Sequence, residues 1–405
     1  MSVMTTFGVS GAVALACAAL TAPARAAETW GQALREGDVI VDLRARYESV
    51  EQEGFASAAD ALTNRLRAGF QTAPLKGTAF LAEAVLVDDL NDRYNSTTNG
   101  LTQYPTVADP ADFAAINRFA LINKSLDRTT LTFGRQRIVH DDQRFVGNVG
   151  WRQHEQTFDG LRAQWGSTKI KTDLTYASQV NRVFGPDSPQ GKWEGDVALA
   201  GFGYTLPIGT LTLFDYYLDI DGVASASTNT VGLKLAGSKP IGKLTGTYSL
   251  AVAQQAEAGT NPVDLDADYN LVEGGLTFAK FGVALGLELL GGDGVAAFST
   301  PLATLHAFQG WADKFLATPA AGIEDSYFRF TYPLGKRGRF TNVAATAVFH
   351  DYAADFGSAH FGEELNLQLV ARTERMALTA KYADYRADAL LTDTEKLWVS
   401  VDYSF

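Results

Sequence analysis

The sequence has almost no cysteine, few histidines and no long apolar run past its opening segment, and each shortage narrows what the chain can be. Cys17 is the one cysteine in 405 residues, which excludes a disulfide framework and a thiolate metal site. It also falls in a segment that reads as removable. Val9 to Leu20 is apolar and Ala24-Arg25-Ala26 follows as a small-residue cleavage signal, so residues 1–26 are predicted to be a secretory signal peptide, although their start carries no Lys or Arg. A lipoprotein would want a large aliphatic residue where Ala14 stands. The mature chain, 27–405, is then free of thiols, which suits an oxidising compartment. Beyond the signal no stretch reaches the roughly twenty apolar residues of a membrane helix. Basic residues are outnumbered, 34 against 46, for a net charge of -12; losing Arg25 makes it -13, which excludes nucleic acid as a partner. With 46% hydrophobic and 11% aromatic residues the chain is too apolar to be disordered.

Those apolar residues alternate. Val39, Val41, Leu43, Ala45 and Tyr47 share one face of a strand, with Asp42, Arg44, Arg46 and Glu48 on the other. The chain ends the same way: Leu397, Val399, Val401, Tyr403 and Phe405 oppose Lys396, Trp398, Ser400, Asp402 and Ser404. About eighteen such segments of roughly ten residues follow one another without a linker, and their even number matches a closed transmembrane antiparallel β-barrel. Short links (73–77, 125–127, 166–167, 207–209, 239–241, 280–281, 333–335) are expected at the periplasmic end. Long ones (88–114, 139–155, 182–195, 257–267, 291–324, 350–362) are expected outside, in strict alternation. A soluble sandwich would alternate too. The signal segment, the aromatics near segment ends (Tyr47, Phe70, Tyr176, Tyr332, Tyr403) and the terminal Phe405 favour the bacterial outer membrane, with lipid and lipopolysaccharide around the barrel. An aromatic C-terminus after alternating apolar residues resembles the signal read by the barrel-assembly machinery.

If apolar residues face lipid, their neighbours line a lumen of mixed charge. Arg44, Arg46, Arg65, Arg67, Arg162, Lys169, Lys171, Lys234, Arg329, Arg372, Lys381 and Lys396 are expected inside with Asp42, Glu48, Glu83, Asp173, Asp215, Asp219, Glu273, Glu288, Glu364 and Asp402. Arg44, Arg46, Arg65 and Arg67 come from neighbouring segments and cluster on one wall. A guanidinium grips carboxylate or phosphate through two donors and keeps its charge, so the four form either a path for an acidic solute or a set of wall pairs with Asp42, Glu48 and Glu83. Catalysis finds no marked nucleophile: His140, His154, His306, His350 and His360 lie in or near long links, and only His140 beside Asp141 suggests a base with its orienter. Asp264, Asp266 and Asp268 lack the glycine and glutamate of a calcium loop. No enzyme, cofactor or metal site is expected.

Two loops carry denser motifs. One runs Gly134-Arg135-Gln136-Arg137, Asp141-Asp142-Gln143-Arg144, Gly150-Trp151-Arg152 and Phe158-Asp159-Gly160; the other runs Phe298 to His306 and Gly310-Trp311-Ala312-Asp313-Lys314. Both resemble the alginate export family of outer-membrane barrels. The resemblance implies an eighteen-stranded barrel, loops that partly gate the pore, and export of an anionic polysaccharide along an arginine-rich constriction. By motif position it implies Arg135, Arg144 and Arg152 as substrate contacts, with Asp141, Asp142, Asp159 and Asp313 holding the loops and Trp151 and Trp311 anchoring them or stacking on sugar. A polyanion exporter wants a more positive lumen than this one, so a general or uptake porin for small polar nutrients is the alternative reading. A barrel sealed by the 291–324 loop is a third.

Overall fold

The computed structural model describes residues 27–110, 112–278 and 281–405; the signal segment with Cys17 and its cleavage signal lies outside them. A short helix, α1 (Trp30–Arg35), opens the chain, with the Thr29 hydroxyl capping the N–H of Gln32 at 3.2 Å. Apart from two single-turn 3-10 helices, Ala224–Ala226 and Leu305–Ala307, strands follow: β1 (Asp38–Gln52), β2 (Ala59–Gln71), β3 (Thr78–Asp89), β4 (Phe113–Asn123), β5 (Thr129–Gln136), β6 (Thr157–Gly166), β7 (Ile170–Asn181), β8 (Lys192–Leu206) and β9 (Gly209–Ile220). The second half continues with β10 (Thr228–Ile241), β11 (Leu244–Glu257), β12 (Asp266–Thr277), β13 (Gly282–Leu290), β14 (Ile323–Arg337), β15 (Phe340–Ala353), β16 (His360–Arg372), β17 (Met376–Ala387) and β18 (Thr394–Ser404). Each strand pairs antiparallel with its chain neighbours, and β18 returns to β1 from Asp42↔Ser404 to Gln52↔Thr394. The sheet therefore closes and leaves no unpaired edge for lipid to meet. The eighteen alternating segments are these eighteen strands.

The two faces divide as the alternation requires. On β1, Val39 and Leu43 are exposed outward while Arg44, Arg46 and Glu48 are buried within. β9 departs from the expectation. Phe214, Tyr216, Leu218 and Ile220 face the lumen, so Asp215 and Asp219 point outward, not in. Both faces of β9 carry large apolar residues, and on the lumen face Phe214 and Tyr216 pack against Phe145 of an inward loop. Two expected turns also move: Lys239-Pro240-Ile241 closes β10 and Pro333-Leu334-Gly335 lies within β14, where the missing proline N–H coincides with a register shift. Reversal comes at residues 242–243 and 338–339. The outer end is less uniform than strict alternation of long and short, since residues 53–58, 221–227, 354–359 and 388–393 are short links there.

Two long outer links turn into the barrel. Residues 137–156 and 291–322 dock on each other through a Val146↔Leu302 bridge, with Gly147 N–H donating to Leu302 O at 2.9 Å and Thr304 N–H to Gln143 O at 3.0 Å. Phe145, Phe298, Trp311 and Phe315 carry an apolar core into the lumen against Tyr216, Tyr269 and Tyr352 of the wall. Backbone strain gathers there: Asp141, Gln143, Val149, Gln309 and Asp313 all have positive φ, a region that a β-branched residue such as Val149 rarely adopts.

Candidate functional site

Alternation puts Arg44, Arg46, Arg65 and Arg67 on the lumen face of β1 and β2, and register sets Arg44 directly opposite Arg65 and Asp42 opposite Arg67. Like charges facing each other across a ladder repel, and each has its own acid, two from the wall and two from the outer links. Arg44 Nε donates to Asp402 at 2.5 Å, Arg65 pairs with Asp42, Arg46 lies 3.4 Å from Asp109 and Arg67 3.5 Å from Glu155. The first two arginines also hold the inward loop. Arg44 Nη1 donates to the carbonyls of Gly150 and Trp151 at 3.1 and 2.9 Å, and Arg46 donates to the Trp151 carbonyl while its guanidinium sits 4.2 Å over the indole. Arg65 and Arg67 are less committed. Among the described residues, Nε and Nη1 of Arg65 and Nε and Nη2 of Arg67 are buried with no hydrogen-bond partner.

The loops bring their own charges to fixed partners. Arg144 is buried and donates to Glu288 at 2.5 Å, Thr300 at 3.0 Å and Gln309 at 3.1 Å. Arg152 donates to Asp313 at 2.5 Å and reaches Glu48 at 3.6 Å, joining one loop to the other and to β1. Asp141 and Asp142 both receive Lys234, at 2.7 and 2.5 Å. Away from the loops, Arg135 pairs with Asp159 at 2.7 Å, Arg162 with Asp173 at 2.5 Å, and Arg329 with Glu273. Lys171 is exposed on the lumen parity of β7, and Lys169 sits exposed on the turn before it, off the wall where the alternation had put it.

Trp151 lies in an aromatic cage. It stacks on His306 at 4.6 Å and 3° and meets Trp398 edge-on at 5.9 Å. Lys381 Nζ enters the cage 3.8 Å from the Trp311 ring and 4.5 Å from Trp151, and donates to His306 Nε2 at 2.6 Å. His306 Nδ1 faces Asp313 at 2.7 Å. An acceptor at Nε2 and a donor at Nδ1 require the neutral ring. Burial, followed by the Lys381 charge, pushes His306 well below its ordinary range, despite Asp313. Trp311 and Ala312 N–H donate to Glu364 at 2.5 and 2.8 Å, which pins the second loop to β16.

Sequence reading missed the acids that hold the first loop. Glu155 is fully buried and receives Arg137 at 2.5 Å, Asn117 at 2.6 Å and Asn148 at 2.8 Å. Burial acts to raise its pKa, but Arg137 and Arg67 outweigh burial and hold it below the usual carboxylate range. Next to it, burial pushes His154 down to about 4. Asp109, from the 90–112 link, accepts the Gln153 N–H at 2.9 Å. None of these acids repeats at a strand period, so only the density of Arg, Asp and Gln around them was a signal. His140 bonds to Tyr216 Oη, 3.1 Å away, and lies 3.6 Å from Asp173; these, and not Asp141, are what its ring faces among the described residues.

The model of the alginate export family, described as "Alginate export", matches residues 37–185, which bears out the resemblance and takes in β1 to β7 and the first inward loop. No curated protein matches the chain by sequence. Solved structures share its fold. The outer membrane protein OpdK of Pseudomonas aeruginosa, also solved with vanillate, is 15% identical, with 91% of this chain and 98% of that one covered at a TM-score of 0.70. OccK9 (OpdG) of the same organism gives 14%, 92%, 100% and 0.73, and OccAB4 of Acinetobacter baumannii 13%, 91%, 98% and 0.68. What these structures share with the chain is its fold, a closed antiparallel barrel.

Proposed function

We propose that this barrel passes an acidic saccharide, an alginate-like polymer or a related uronic acid, along the wall of β1 and β2. The observation that carries the reading is the set of buried, partnerless N–H groups on Arg65 and Arg67. A buried guanidinium N–H without an acceptor is costly, and on Arg67 the two such groups, Nε and Nη2, share the edge that the two oxygens of a carboxylate fit. The family match over residues 37–185 points to the same cargo. Arg44, Arg46, Arg144 and Arg152, held by loop carbonyls and acids, act as gate-keepers, and Arg135, Arg162, Lys171 and Arg329 set the surrounding field. Lys169 greets solute at the periplasmic mouth. Lipid and lipopolysaccharide surround the outer face, and the assembly machinery reads the end of β18.

Planar-bilayer recording tests this. Wild type is expected to prefer anions and to be blocked by an acidic polysaccharide, and Arg65→Ala with Arg67→Ala to lose both. Equal cation and anion permeability with no block defeats it. A porin for small nutrients is the second reading. It is favoured by the apolar core that the two loops drive through the lumen, which leaves little width for a polymer, and by the fold shared with a protein solved with vanillate, a small carboxylate. Block by a monomeric acid but not by the polymer would select it.

A further inference from the structure

Opposite the arginine wall, under the second loop, lies a cavity of about 220 Å³. Its roof is Phe308, Gln309 and Trp311, and its walls come from β11 to β16. Four carboxylates reach it, yet each has a partner. Asp142 holds Lys234 at 2.5 Å, Glu288 holds Arg144 at 2.5 Å, Asp325 faces His350 at 2.9 Å, and Glu273 takes Arg329 and Tyr327. The cavity therefore offers no unpaired cation to an acid and no unpaired carboxylate to an amine. What it does offer is neutral. Ser249 Oγ is buried without a partner, and the side chains of Thr331, Thr346 and Gln368 make no hydrogen bond among the described residues. Phe308, Trp311 and Tyr327 add ring surface.

We infer that this cavity is a subsite for one neutral, hydroxyl-rich ring, a hexose-sized sugar unit, on the wall that carries no free charge. A hydroxyl both donates to and accepts from Thr, Ser and Gln without disturbing the paired charges, and the C–H face of a sugar ring covers aromatic surface. The volume lies below the roughly 300 Å³ at which drug-sized sites begin and is room for one ring. The inference rests on the reading of the barrel as a saccharide channel, and adds to it a place where a solute is held by its hydroxyls and not by its acid.

The test is ligand-observed saturation-transfer NMR on the full, detergent-solubilised barrel, with methyl glucoside as the neutral probe and glucuronate as the acidic one. Methyl glucoside should receive saturation from wild type. Thr346→Val with Gln368→Leu should weaken that about tenfold, the loss of two ordinary hydrogen bonds, while Arg65→Ala with Arg67→Ala leaves it unchanged. Ser249→Val stands in if the first pair fails to give the heat-dependent electrophoretic shift of a folded barrel. Glucoside that receives no saturation, or receives it equally from the Thr346, Gln368 and Ser249 variants, overturns the inference. Glucuronate binding that depends on Arg65 and Arg67 with no glucoside binding removes the subsite and keeps the acidic path; the converse keeps the subsite and removes the path.

Discussion

Arg46 makes three contacts with one buried guanidinium: the Trp151 carbonyl, the Trp151 indole at 4.2 Å and Asp109 at 3.4 Å. Arg46→Ala takes the paired guanidinium from buried Asp109, which keeps the Gln153 N–H, a loss of about 3–5 kcal/mol for a broken buried pair, and it falls on the docking of residues 137–156 because β1 keeps its ladder. Single-channel recording should show longer open times or a larger open level than wild type; an unchanged trace would mean that Trp151 is held by its cage alone. A second residue-scale prediction concerns acid. His154 is buried near Arg67, Arg135, Glu155 and Asp109, with the Phe113 ring 4.8 Å away, and its pKa is lowered to about 4 from 6.5. A base with a lowered folded pKa stabilises the docked loop above about 6.5 and loses that contribution as pH falls towards 4. His306 shifts the same way, and a proton on its Nε2 would face Lys381 Nζ at 2.6 Å. Glu155, held low, adds its own loss at lower pH still. Conductance should rise as pH drops from 7 to 4, and His154→Phe, which keeps the packing on Phe113, should blunt the rise. A pH-independent trace would reject both histidines as part of the gate.

At the scale of elements, the strands were legible because lipid imposes a period of two on every one of them, and nothing else in the sequence repeats so regularly. Where both faces are apolar the period fades. On β9, Leu213 and Tyr217 face out and Phe214 and Tyr216 face in, so the parity of Asp215 could not be read from its own strand. The loop motifs marked which two links differ from mere connectors, but the partners of their charges were hidden. Glu288 is 144 residues from Arg144 and Asp313 is 161 from Arg152, and no periodicity relates them. Ladder geometry also fixes some residues that hydropathy ignores. Gly134 pairs with Gly160 between β5 and β6, has φ +114, and a Cβ there would collide with the Phe119 carbonyl. Gly134→Ala should therefore lower barrel stability by about 1–3 kcal/mol, read as an earlier heat-dependent shift on electrophoresis, whereas Ala at Gly54, which also has positive φ but has open space around it, should cost less. Equal shifts would mean that the close approach at Gly134 relaxes freely.

The whole molecule is two structures with one wall between them. The barrel closes through β1 and β18 and owes its closure to backbone pairing and lipid; the plug is held by charges, Arg44, Arg46 and Lys381 on one side and Glu288 and Glu364 on the other. Because these contacts run from loop to wall and the ladder's own pairs run from strand to strand, the plug can be removed without opening the sheet. Replacing residues 300–312 with a flexible linker deletes Leu302, Thr304, His306 and Trp311, and with them the bridge to Val146 and the stack on Trp151. Residues 137–156 then lose their contacts with the second loop and keep those with the wall, Arg44 and Arg46 on β1, Lys234 on β10 and Glu288 on β13. The expected product is a barrel with unchanged heat-dependent mobility, since no strand pair is touched, and with conductance several-fold above wild type, since the apolar core from Phe145 to Phe315 is broken. Raised conductance with intact mobility would assign the loops to gating. Intact mobility with wild-type conductance would show that ions already pass beside the plug, along the Arg65 and Arg67 wall, and that the loops select solutes without closing the pore.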